Sequence, residues 1–130
     1  EYLRKKYVCA NQIKKGLNGV RESIDYIRKG FSIALMIDQR VSEGEKINFF
    51  GKPALTTTLP AQLALKFKLP IIPVFIERTD KKKFKITFQK EIKPSDFRNK
   101  FDLSVKLSQT LESMIVKKPD EWIWTHNRWK

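Results

Sequence analysis

Histidine and cysteine each occur once in the 130 residues, as His126 and Cys9. A single cysteine excludes an internal disulfide, and one cysteine with one histidine leaves no zinc-ligand set, so a reducing, cytosol-facing compartment is favoured. Glycine is scarce as well, with five residues. Neither "KGLNG" nor "GKPAL" has the spacing of a phosphate-cradling fingerprint, which sets nucleotide binding aside. Long apolar runs are missing: Phe31–Ile37 and Leu69–Ile76 fall far short of the roughly 20 residues that span a bilayer. There is no internal repeat, no low-complexity tract and no Gly/Ser linker. The chain opens on Glu1 without a signal-like run, and a processed or truncated start is the expectation.

Acidic residues are also in short supply. Twenty-seven Lys and Arg stand against fourteen Asp and Glu, a net charge of +13 at pH 7. Such an excess attracts anionic partners, whether nucleic acid, acidic lipid, a phosphorylated substrate or an acidic protein, without choosing among them. No nucleic-acid-binding module has its signature here. What is abundant is core material: 41% of residues are hydrophobic and nine are Phe, which argues for a folded domain and against a disordered basic tail. The length fits one domain.

Local patterns suggest the order α, β, loop, α, β, β, α, tail. Asn18 is a candidate cap for a helix with Val20, Ile24 and Ile27 on one face, and Gly30 suits a left-handed exit. Phe31–Ile37, bounded by Gly30 and Asp38, reads as a buried strand. A loop through Gly44 and Gly51 leads to a Thr-capped helix with Pro60 in its first turn and Leu59, Leu63 and Phe67 on one side. Leu69–Ile76 reads as a second buried strand, parallel to the first through a right-handed crossover. Phe84, Ile86 and Phe88 alternate with polar residues in an edge strand. Leu103, Leu107, Leu111, Met114 and Ile115 have helical spacing up to Pro119. The fold expected is α/β, with a mixed, mostly parallel sheet flanked by helices.

Ligands of open α/β sheets sit off the carboxyl ends of the strands, which singles out Asp38, Gln39 and Arg40 after one strand and Arg78 after the next. The competing reading is that Asp38 and Gln39 only tie down their loop. Phe49 and Phe50 line an acyl or lipid groove or cap the core, and both readings stay open. Trp122, Trp124, Trp129, Arg128 and Lys130 suit a headgroup zone, where indoles and basic groups meet phosphates, or else pack under the sheet. His126 has a side chain suited to proton transfer, but no motif around it marks a catalytic dyad.

Taken in order, "DQ" after an apolar run, "FFGKPALTT", "LPIIPVFIER" and the ending "PDEWIWTHNRWK" resemble the bacterial lipid A biosynthesis acyltransferases, the lauroyl and myristoyl transferases of lipopolysaccharide assembly. The resemblance runs from about Gly16 to Lys130. It implies a glycerolipid-acyltransferase-like domain of which residues 1–130 are the carboxyl-terminal portion. The implied reaction moves a fatty acyl group from acyl carrier protein to a hydroxyacyl chain of a phosphorylated glucosamine disaccharide. The setting is the cytoplasmic face of the inner membrane, and no cofactor or metal is implied.

On that likeness Asp38, Gln39, Arg40, Phe49, Phe50 and Arg78 are the substrate side, and Trp122, Trp124, Arg128, Trp129 and Lys130 meet membrane or phosphate. The family's signature is a His and, after four intervening residues, an acidic residue. His126 would need that acid at position 131, so the sequence departs from the pattern. The expectation is that the catalytic motif and a membrane anchor lie upstream and that this portion is inactive alone. The rival expectation is a non-enzymatic basic module that binds anionic lipid or nucleic acid.

Overall fold

The computed structural model describes residues 2–129. The chain divides into two compact units, one ending at Leu35 and one beginning at Met36.

The first unit contains α1, Tyr2–Tyr7, and α2, Leu17–Arg28. The apolar stripe predicted for α2 is present, but the helix starts one residue before Asn18, with Gly16 at the cap position. Gly30 leaves the helix at φ 84°, the left-handed exit expected of it. Gly19 is needed for a different reason: a Cβ there would fall within 1.7 Å of the Lys14 carbonyl oxygen. Ser23, buried on the same helix, donates to the Gly19 carbonyl at 2.8 Å.

The second unit begins with a hairpin where a loop was expected. β1, Glu45–Phe49, pairs antiparallel with β2, Lys52–Thr56. The turn between them puts both Phe50 (φ 50°) and Gly51 (φ 75°) in the left-handed region, the geometry of a two-residue hairpin loop. A bulky residue in that conformation costs about 1–2 kcal/mol. Phe50 offsets this by donating its N–H to Glu112 Oε1 at 2.8 Å and setting its ring edge-on to Phe49.

Two helices and a second hairpin follow. α3, Leu59–Phe67, carries Pro60 in its first turn, and the Leu59 N–H is accepted by Thr57 Oγ1. β3, Val74–Asp80, pairs antiparallel with β4, Lys83–Phe88. α4, Lys100–Lys117, is capped by Asn99, whose Oδ1 accepts from the N–H groups of Phe101 and Asp102.

The mostly parallel sheet expected from the sequence does not form. The described residues carry two separate two-stranded antiparallel sheets. Phe31–Ile37 is no strand at all, and Met36 is 85% exposed. A continuous apolar run becomes a strand only when a neighbouring backbone completes its ladder, and no described segment pairs with this one. Leu69–Ile76 contributes only Val74–Ile76 to a strand, preceded by an isolated bridge between Ile71 and Ile92.

The core has two centres. Ala61 and Ala64 of α3 meet Leu103 and Leu107 of α4, with Ile37, Ile71, Ile92 and Phe97 around them. Phe49, Ala54 and Ile115 form the other, walled by Leu111, Trp122 and Trp129. Each fully buried Leu or Phe contributes about 1.5–3 kcal/mol, so these two clusters hold the unit together.

Candidate functional site

Asp38, Gln39 and Arg40 form a bend between the unpaired apolar run and β1. Two successive backbone N–H groups of this turn are taken up by distant elements. The Arg40 N–H reaches His126 Nε2 at 3.4 Å, and the Val41 N–H reaches the Leu55 carbonyl at 3.3 Å. The turn closes with Gly44 N–H on the Val41 carbonyl. Gly44 lies so close to β2 that a Cβ would meet the Thr56 carbonyl oxygen at 2.5 Å.

Arg128 sits behind the turn. Its side chain is 1% exposed, yet it carries a full positive charge into the protein. Nη1 donates to the Leu55 carbonyl and Nη2 to Thr56 Oγ1, each at 2.7 Å, and the guanidinium lies 5.1 Å from the centre of the Phe49 ring. The Leu55 carbonyl therefore accepts from both the tail and the turn. Burial pushes the Arg128 pKa below its ordinary value, and the Asp38 carboxylate pushes it back up. Asp38 Oδ1 and Arg128 Nε are both buried without a hydrogen-bond partner among the described residues.

The sequence singled out Arg128 for phosphate contact, but its guanidinium faces inward. Trp122 and Trp129 lie against Phe49, with ring centres 5.8 Å from it in each case, and Trp129 Nε1 donates to the Phe49 carbonyl. Trp124 is half exposed and donates to the Pro119 carbonyl at 2.6 Å. Lys130 lies outside the described residues. Of the two phenylalanines weighed as groove or core, Phe49 is 0% exposed and Phe50 is half-buried beside it.

Arg78 is on β3, where its N–H donates to both oxygens of Glu121 and its guanidinium stacks 4.4 Å from the Phe84 ring centre. No hydrogen bond or ion pair joins it to the turn among the described residues. The crevice that was to unite Arg78 with Asp38 depended on parallel strand ends, which the two hairpins do not supply.

Sequence reasoning missed the link from His126 and Arg128 to the turn. A signal was available, since an Arg within an apolar and aromatic tail needs backbone acceptors if it is buried. An open groove of about 400 Å³ runs elsewhere, between Lys46 and Asn48 of β1 and Phe101, Val105 and Gln109 of α4. Among the described residues no three His, Cys, Asp or Glu side chains gather as a metal site. No helix of the described residues is long and apolar enough to cross a membrane.

Helices and two small antiparallel sheets, with a polar turn held through β2 by a buried cation, make a mixed α/β domain. The model of one family, the bacterial lipid A biosynthesis acyltransferases, matches residues 10–130. The chain belongs to that family, and at family level its activity is that of an acyltransferase in lipid A biosynthesis. No curated protein matches it as a relative.

Proposed function

We propose that this chain is the carboxyl-terminal portion of a transferase that moves a fatty acyl group from acyl carrier protein to a hydroxyacyl chain of a phosphorylated glucosamine disaccharide. The reaction takes place at the cytoplasmic face of the bacterial inner membrane. The turn of Asp38, Gln39 and Arg40 is the polar end of the acceptor site, and Gln39 and Arg40 are exposed. The general base on the acceptor hydroxyl belongs to a His-x4-acid motif upstream of the residues described. Such an imidazole takes the hydroxyl proton while the carboxylate fixes its tautomer and stabilises the imidazolium.

The observation that carries this reading, beside the family match, is apolar surface left bare. Val74 and Ile76 on β3 and Phe84, Ile86 and Phe88 on β4 stand on one face of the second hairpin, and Phe88 is 72% exposed. A contiguous apolar face of this kind marks a surface made to be covered. In the proposed enzyme the upstream elements cover it and supply the partner backbone that Phe31–Ile37 needs for a strand. The positive charge accords with acyl carrier protein, lipid phosphates and the inner leaflet, all anionic.

Acyl transfer, assayed with acylated carrier protein and the phosphorylated disaccharide acceptor, tests the proposal. The isolated 130 residues are expected to be inactive, and the same residues joined to an upstream His-x4-acid segment active. Transfer by the isolated chain that His126→Ala abolishes would refute the division of labour. Steep, salt-sensitive binding to any polyanion, with no preference for the acylated disaccharide, would favour a basic binding module instead.

A further inference from the structure

Arg128 does more than fill the second core, because its surroundings tie two distant stretches of backbone together. We infer that Arg128 is the positioning residue of the Asp38–Gln39–Arg40 turn, clasping it through the shared Leu55 carbonyl and through its charge on Asp38. The steps are geometric. The Leu55 carbonyl has two lone pairs, and one accepts Arg128 Nη1 while the other accepts the Val41 N–H. His126, two residues before Arg128, takes the N–H of Arg40. The tail therefore grips consecutive amides of the turn, one directly and one through β2.

Charge completes the clasp. Among the described residues Asp38 Oδ1 and Arg128 Nε are each withdrawn from water and unpaired, and the Asp38 charge acts on the Arg128 guanidinium. A carboxylate oxygen buried without a neighbouring cation is disfavoured, so the Arg128 charge makes the buried Asp38 Oδ1 tolerable. With Asp38 held inward, Gln39 and Arg40 are turned outward. An Arg is suited to this because its planar fork reaches a carbonyl and a hydroxyl at once, which a Lys ammonium cannot match. The biological meaning rests on the turn being the acceptor's polar end; the clasp itself stands on the contacts.

Amide hydrogen exchange on the full 130-residue chain, read by NMR, tests the inference. Arg128→Met is expected to speed exchange at Arg40 and Val41 on the order of tenfold beyond any change in α4, since charge-assisted hydrogen bonds and the local opening they restrain are lost. Arg128→Lys is expected to recover only part of that protection. Unchanged relative protection of Arg40 and Val41 in Arg128→Met would overturn the clasp.

Should that variant fail to fold, Asp38→Asn gives a second reading. The Arg128 Nε–H resonance is expected to move, and a resonance that stays in place overturns the charge coupling. Titration with glucosamine 1-phosphate separates this inference from the functional reading beneath it. Shifts at Gln39 and Arg40 that weaken in Arg128→Lys support both. A clasp verified by exchange, with no shift from the sugar phosphate, refutes the acceptor-site reading and leaves the positioning role intact.

Discussion

Two arginines lie over phenylalanine rings in this protein, and they do different things. Arg128 lies 5.1 Å from the centre of Phe49 inside the second core, and Arg78 lies 4.4 Å from the centre of Phe84 on the open face of the β3–β4 hairpin. The stacking is alike, but the backbone nearby is not. Arg128 finds the Leu55 carbonyl and Thr56 Oγ1 at the end of β2, so its charge can be desolvated. Among the described residues the Arg78 guanidinium finds only the Lys81 carbonyl in its own turn, and it stays exposed. Burial of a cation is thus decided by acceptors that other elements bring, more than by the aromatic ring.

The comparison can be broken at its buried end. Phe49→Ala should be the most damaging change, costing about 3–5 kcal/mol in denaturant unfolding, because the ring is fully buried and three aromatic neighbours lose their contact. Arg128→Met should cost about 3 kcal/mol in the same measurement, since it strips two hydrogen bonds and leaves Asp38 without its cation. Gly44→Ala should cost about 1–3 kcal/mol, because the new methyl must push β2 away from the turn. A loss below about 0.5 kcal/mol at Phe49 or Arg128 would show that the second core is not the stabilising centre.

The exposed end sharpens the contrast. Phe84→Ser and Phe88→Ser should change stability by about 0.5 kcal/mol or less, as surface substitutions do. The same changes should lower the binding of an apolar dye and the tendency to associate, both readable on one sample by fluorescence and light scattering. A large stability loss from Phe88→Ser would mean that this face is covered within the chain itself.

Helices were the most legible part of the sequence. Leu103, Leu107, Met114 and Ile115 recur at the helical period and are buried in α4, and Pro119 follows its end as a stop. Gly30 announced the exit of α2. Strands were harder, because an apolar run says that a segment seeks cover but not that a partner strand is present. Phe31–Ile37 shows the difference. The β1–β2 turn escaped notice because Phe-Gly is an unusual pair for two left-handed residues, and its anchor, Glu112, is sixty-two positions away from Phe50. In the candidate site, the place of Asp38 to Arg40 after an apolar run made them candidates, and the structure places them in a bend there. The inward course of Arg128 could not, since a basic residue beside tryptophans reads equally as an interfacial anchor.

The closing contacts of the second core have a consequence for biosynthesis. Trp129 donates to the carbonyl of Phe49, eighty positions earlier, and Arg128 reaches Leu55 over almost as great a span. During synthesis the β1–β2 hairpin and the turn beside it emerge long before their partners. Phe49 must then wait as bare apolar surface until the tail is released. Contacts of such high sequence separation form late and slowly. Nascent chains halted before Trp122 would therefore present an unfinished second core to chaperones and proteases, and the cell could discard incomplete copies early.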